Sequence, residues 1–194
     1  MMNDSEPHCR RAPRVAAVMA AILMALSGCG DDPFAFDWVD TPDTVVLYSL
    51  ARPELNLASG WDFFRGNAIR IEAPNASGSW DVALDTQNGE LVLLPPGALG
   101  VESRARIAPL SGIQFDDVRE APSDSTAYIS RAPVPMALGT TYVIRTDQSV
   151  GAFGTRCVYY ARMEPLELDV AGGTMTFREV TNPVCNDRDL VPPN

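Results

Sequence analysis

The chain contains no lysine, and its only histidine is His8. All 15 basic residues are arginine, set against 25 acids, for a formal charge of −10. Each shortage removes chemistry. Without lysine there is no Schiff-base enzyme and no phosphate-loop lysine. Without a basic excess there is no patch to hold nucleic-acid phosphates. No glycine-rich phosphate motif, Gly-x-Ser-x-Gly elbow or nucleic-acid signature occurs anywhere. Long apolar runs are also missing. The longest, Val15 to Leu26, has 12 residues and as a helix reaches roughly 18 Å, short of the roughly 30 Å hydrocarbon core of a bilayer. With 194 residues there is material for one ordinary globular domain and too little for two.

That apolar run has an address written around it. Arg10, Arg11 and Arg14 precede it and Leu26-Ser27-Gly28-Cys29 follows, the layout of a secretory signal. The residues around Arg10-Arg11 do not support twin-arginine export. The segment Leu26–Cys29 resembles the lipobox of bacterial lipoproteins, and the resemblance covers this segment alone. It implies cleavage before Cys29 and acylation of that cysteine. Two or more acyl chains, at about 0.8 kcal/mol per buried methylene, anchor stably where one does not. The implied product is a signal peptide over 1–28, a lipidated acidic tether over 29–43 and one β domain over 44–194. It would be held on the non-cytoplasmic side of the bacterial envelope, with the membrane as partner through its lipid. Gly30 stands where an aspartate retains such proteins in the inner membrane of enteric bacteria, so in a two-membrane cell the outer membrane is expected.

Removing residues 1–28 leaves 23 acids, 12 arginines and no histidine, a net charge of about −11. Histidine general bases, serine–histidine and cysteine–histidine pairs, and histidine-ligated metal or haem sites all disappear. Carboxylate chemistry, unassisted serine or threonine, and oxygen-ligated cations survive. No cofactor is expected. With Cys29 committed to lipid, Cys157 and Cys185 remain in an oxidising compartment and are expected to form a disulfide. A two-thiolate zinc site is the rival, but no histidine or further cysteine completes it.

Sixteen prolines and fourteen glycines punctuate short runs of strand character. Trp80, Val82 and Leu84 alternate with Asp81, Ala83 and Asp85, the period of a half-buried strand. Gln87-Asn88-Gly89 then turns into 90–94, a hairpin. Further strands are expected over 44–50, 61–64, 68–72, 104–108, 127–131 and 141–146. One short helix is expected over 115–121, with Asp116 and Asp117 at its start and Pro122 after its end. The fold class is all-β: an antiparallel sandwich or barrel-like domain. In the tether, Phe34, Phe36 and Trp38 are hard to leave in water, so its later part is expected to pack on the domain.

The C-terminal stretch gives a register. The apolar face is odd-numbered through Cys157, Tyr159, Ala161 and Met163, then even-numbered at Leu166, Leu168 and Val170. A strand that keeps its face across such a change needs one extra residue, a β-bulge, where proline is tolerated. A turn at Ala171-Gly172 pairs Leu168 with Met175 and Leu166 with Phe177. Past the bulge, Met163 faces Glu179 and Cys157 falls opposite Cys185. Closing that loop contributes about 3–4 kcal/mol in the chain-entropy model.

Few motifs compete for chemistry. Trp61-Asp62 and Trp80-Asp81 do not have the period or copy number of a propeller, and read as two strands beginning with a buried tryptophan. Asp116, Asp117 and Glu120 form an acidic cluster that a helix start explains better than a glycosidase pair. Asn186-Asp187-Arg188-Asp189 offers calcium-type oxygens, but Arg188 sits among them and the loop has no glycine, so a solvated turn is expected and no metal. Tyr142, Tyr159 and Tyr160 with Arg145, Arg156 and Arg162 mark the first place to look for a ligand groove, although sheet packing accounts for them too. The resulting expectation is a non-catalytic binding or assembly module of the envelope, with a protein or glycan partner and no catalytic residue. The alternatives are a histidine-free carboxylate hydrolase acting on envelope glycan and a small-ligand capture lipoprotein.

Overall fold

The computed structural model describes Trp38, residues 40–76 and residues 78–193. The signal segment, Cys29, Phe34 and Phe36 lie outside the described residues. Twelve strands occur among those described: β1 (Asp43–Tyr48), β2 (Gly60–Asp62), β3 (Asn67–Ile69), β4 (Val82–Gln87), β5 (Glu90–Leu94), β6 (Arg106–Leu110), β7 (Val134–Pro135), β8 (Thr141–Arg145), β9 (Ser149–Val150), β10 (Arg156–Cys157), β11 (Tyr160–Asp169) and β12 (Thr174–Thr181). The first sheet runs β1-β12-β11-β8-β6 and the second β3-β2-β4-β5-β7, while β9 and β10 make a separate ribbon. The architecture is all-β and antiparallel, with no closed barrel.

One apolar core joins the sheets. Val45, Leu47, Ile107, Ile144, Met163, Met175 and Phe177 from the first meet Trp61, Val82, Leu84, Leu91 and Leu93 from the second. Fully burying side chains of this size contributes about 1.5–3 kcal/mol each. Trp61 stands edge-on to Phe63 at 6.5 Å and to Phe177 at 6.2 Å, so one indole ties both sheets together.

The expected hairpin is present. Gln87 pairs with Glu90, and Asn88 and Gly89 take φ of 53° and 79°, the left-handed pair a two-residue turn demands. The bulge is present as well, between Pro165 and Glu167, with Leu168 opposite Met175 and Met163 opposite Glu179. Its extra residue is Leu166, so Pro165, not Leu166, faces Phe177. Leu166 turns outward and is exposed. Past the ladder, Cys157 and Cys185 are disulfide-bonded, with Cα atoms 5.0 Å apart.

Three expectations are corrected. The 115–121 helix shrinks to a 3-10 turn at Phe115–Asp117, after which Val118 is extended. Arg162 opposes the helix: its guanidinium takes the Phe115 carbonyl (3.1 Å), the acceptor a helix would offer to the Arg119 amide, and also the Val118 carbonyl (3.4 Å), which Pro122 could not serve. The 127–131 strand is a single bridge between Ile129 and Ile107, hemmed in by the turn Ser125–Ala127 and by Pro133. Trp80 leaves the face of Val82 and Leu84 and joins Ala83, Val92 and Leu94 behind the second sheet. Both outer faces carry such secondary clusters. Behind the first sheet, Ala108 and Val143 meet Val118, Ala121 and Leu190. Strands expected to be half-buried, such as Val82–Leu84, are therefore buried on both sides.

The end of the tether belongs to this architecture. Trp38 is half-buried, Asp40 reaches Arg162 at 2.6 Å, and Asp43 already opens β1.

Candidate functional site

The six residues expected to mark a groove do not share one. Tyr142 points into the core, 1% exposed, where its hydroxyl donates to the Pro135 carbonyl and accepts from the Ala137 amide. Alternation along β8 dictates this, since Ile144 faces the same way and Val143 the other. Tyr159 is buried and stacks on Phe64 at 3.9 Å. Tyr160 packs behind the first sheet beside Ala108 and Val143. Arg162 is buried and pairs with Asp40, and Arg156 is exposed on the ribbon. Arg162 also lines a cleft of about 280 Å³ with Asp40, Asp116 and Arg119, and Arg145 lies beside another through the backbone of Arg104. Arg145 faces Arg106 across the β6–β8 ladder and donates to the Arg104 carbonyl at 2.7 Å.

Beside it lies a cleft of about 670 Å³. Gly97, Gly100, Val101, Glu102 and Ser103 line one part of it, and Arg104, Arg106, Ser130, Arg131, Asp147 and Gln148 line the rest. Several elements bring these together. Gly97 abuts the Ser130 carbonyl so closely that a side chain would collide with it. Arg104 and Arg106 are two residues apart in extended chain and thus share a side. The Ile129–Ile107 bridge carries Arg131 to the same place. Among the described residues no carboxylate forms an ion pair with Arg104, Arg106, Arg131 or Arg145, whereas Arg52, Arg65, Arg162, Arg178 and Arg188 all have one. The Arg106 Nε is buried with no hydrogen-bond partner.

Asp147 and Gln148 also line a second cleft of about 300 Å³ with Asp62, Phe64, Arg65, Ser79, Trp80, Asp81 and Val150. Here both Trp-Asp dipeptides meet, and their acids are almost completely buried: Asp62 is 5% and Asp81 4% exposed. Asp62 accepts from the Arg65 amide at 3.0 Å and its guanidinium at 2.7 Å. Asp81 accepts from the amides of Phe63 (3.0 Å) and Asp147 (2.7 Å). Burial pushes the Asp81 carboxyl up to about 7 against the pull of those two amides, and the neighbouring charges of Asp62 and Asp147 add to the rise. Asp147 in turn accepts from the amides of Arg104 and Gln148. A second buried acid, Glu179, is also raised to about 7 by burial, although Thr181 donates to it, and it faces Asp43.

The other acidic motifs are occupied in holding the chain. Asp116 and Glu164 both reach Arg178, and Glu120 pairs with Arg188. Asn186 accepts from the Val158 amide and donates to the Arg156 carbonyl. Asp187 accepts from Asn182, which is fully buried. No group of three potential metal ligands exists among the described residues. No family model matches the chain, and comparison with curated proteins finds no relative.

Sequence reasoning missed the arginine cleft because Arg131 and Gln148 sit on segments separate from that of Arg104 and Arg106. The available signal was the i, i+2 spacing of Arg104 and Arg106 on an expected strand. The Trp-Asp dipeptides were noticed, but burial of their acids depends on loops that pattern alone does not place.

Proposed function

We propose that the chain is a lipid-anchored protein of the bacterial envelope whose β domain is a non-catalytic binding module, with the two neighbouring clefts as its binding face. The lipobox ending at Cys29 and the Cys157–Cys185 disulfide support the compartment. The observation that carries the binding reading is the state of the acids in the clefts. Asp62, Asp81 and Asp147 each accept from backbone amides or from Arg65. Only Glu102 remains uncommitted, and carboxylate hydrolysis needs an acid and a base that both reach the substrate. The clefts are lined by polar side chains, which disfavours capture of an apolar small ligand.

The test is pull-down from native membranes with the bound material identified. Enrichment of an envelope component is expected, and it should be lost when Gln148 and Ser130 are both replaced by bulky side chains. Metabolic fatty-acid labelling should disappear in Cys29→Ala. The hydrolase reading has one observation in its favour, a buried acid near neutrality at Asp81 beside Asp62. If purified protein cleaves an envelope glycan and Asp81→Asn stops it, that reading replaces ours.

A further inference from the structure

We infer that the larger cleft recognises an acidic glycan, a polymer whose sugars carry carboxylates, with Arg106 at the centre of the contact. The inference rests on the binding-module reading and adds the chemical class of the ligand.

Charge gives the first argument. In a chain of net charge −10, acids are plentiful, and five arginines elsewhere on the domain have found one. Arg104, Arg106 and Arg131 line one cleft without such a partner, although Glu102 and Asp147 line it too. Asp147 is turned to the amides of Arg104 and Gln148. The cleft thus keeps a local positive field on an acidic molecule, and like charges at Arg106 and Arg145 oppose each other directly across the sheet. Such a pair is unfavourable in the empty protein and is relieved when an anion binds between or beside the two.

Hydrogen bonding gives the second. Buried polar atoms in folded proteins nearly always have a partner, and an exception calls for an explanation. The Nε of Arg106 is buried and has none among the described residues, while its side chain lines the cleft. An arginine fork presents parallel donors that match the two oxygens of a carboxylate. The Nε of Arg106, like that of Arg162, is shielded from solvent, so the contact falls to the part of the Arg106 side chain that lines the cleft and has no carboxylate partner among the described residues.

The rest of the lining separates a glycan from other anions. Ser103, Ser130 and Gln148 supply neutral donors and acceptors of the kind that read sugar hydroxyls. Asp147 and Gln148 also line the second cleft, with Asp62, Arg65 and Ser79, and the larger cleft, at about 670 Å³, is itself roomier than a single small anion requires. A bound peptide of ordinary composition would look for apolar side-chain pockets, and this lining supplies few.

The experiment uses the full lipidated chain in detergent and titrates it with hexagalacturonate, maltohexaose, polyglutamate and inorganic phosphate. Hexagalacturonate is expected to bind, maltohexaose to bind at least about tenfold more weakly, and phosphate to compete only at high concentration. Arg106→Gln and Arg131→Gln should each weaken hexagalacturonate about tenfold or more, while Arg70→Gln, an exposed arginine outside both clefts, should leave it unchanged. Binding should weaken as salt is raised. The inference is overturned if hexagalacturonate does not bind, if polyglutamate binds as tightly, or if Arg70→Gln costs as much as Arg106→Gln. Equal binding of maltohexaose that still depends on Arg106 overturns the acidic class but leaves the binding module standing. Shortening of either oligosaccharide during the titration overturns the binding module itself.

Discussion

The outer face of the β1-β12-β11-β8-β6 sheet uses arginine in two opposite ways. In its β11–β12 part, Arg162 and Arg178 lie against Phe115, with guanidinium carbons 4.6 and 4.2 Å from the ring centre. Both have carboxylate partners: Asp40 together with two carbonyls for Arg162, whose Nε alone is left without an acceptor among the described residues, and Glu164 and Asp116 for Arg178. In its β6–β8 part, Arg106 and Arg145 face one another with no carboxylate between them. The residue type and the surface are the same. The difference is the supply of acceptors, and it separates arginines that hold the fold from arginines that leave a field in place. Cation–π contact and charge-assisted hydrogen bonds favour the first arrangement. In the second, among the described residues, Arg145 is held only by its bond to the Arg104 carbonyl, and no carboxylate offsets the facing charges.

The comparison breaks most sharply at Arg162. Its side chain is 3% exposed and clamps the segment 115–118 onto the sheet. Arg162→Met would leave the Phe115 and Val118 carbonyls and Asp40 without their donor. A loss of about 3–5 kcal/mol is expected, read as a shift of the urea midpoint with an unchanged slope. Phe115→Leu keeps much of the apolar volume but removes the ring both guanidiniums cover, so a smaller loss should follow. If Arg162→Met is nearly neutral, partner count does not mark structural arginines here.

Next in size is the bridge at the far edge of the same face. The Cys157–Cys185 link closes a loop of 28 residues, for which chain entropy gives about 3–4 kcal/mol. Cys157→Ser with Cys185→Ser should lower the midpoint accordingly, and intact mass should show a two-dalton rise on reduction of the natural chain.

That bridge was legible in the sequence, and the reason is physical. Register in a strand pair propagates with period two, so one parity change at Pro165 was enough to infer a bulge and carry the count to the cysteines. The identity of the extra residue was not legible, because Pro165 and Leu166 satisfy the parity equally. Burial separates them in the structure, with Pro165 buried opposite Phe177 and Leu166 exposed. The arginine cleft was invisible for the opposite reason. Its members come from segments whose approach depends on a crossing between sheets, on the Gly97–Ser130 contact and on the lone Ile129 bridge. Tyr142 was misassigned because its ring, at the right parity for the core, was read for its hydroxyl. That hydroxyl is spent on the backbone at Pro135 and Ala137.

The buried acid between the two clefts sharpens the comparison through pH. Asp81 is pushed up from the usual carboxylate range to about 7, so between pH 4 and 7 the folded protein holds a proton that the unfolded chain has released. Stability contributed at this position is greatest below about pH 4, falls as pH rises to about 7, and is constant above that. Glu179, also raised to about 7, acts in the same sense. In Asp81→Asn the Asp81 share of the decline should vanish, so the variant gains on the natural protein as pH rises through this window. Urea midpoints for both proteins at pH 4, 5.5 and 7.5 measure it. A gap that does not change with pH would mean Asp81 stays ionised throughout.

The smallest expected effect is the most telling. If Arg106 belongs to a ligand and not to the fold, Arg106→Gln should move stability by no more than about 0.5 kcal/mol. The sign should be neutral or favourable, since facing like charges across a sheet are unfavourable by about 0.2–1 kcal/mol. Salt supplies an independent reading. Between about 50 and 500 mM the screening length shrinks from beyond 10 Å to a few ångströms, relieving the Arg106–Arg145 repulsion in the natural chain but not in the variant, where it is already gone. Any stability advantage of Arg106→Gln should therefore narrow as salt is added. A loss comparable to that of Arg162→Met would place Arg106 among the clamps, and the two parts of the sheet face would then differ in degree and not in kind.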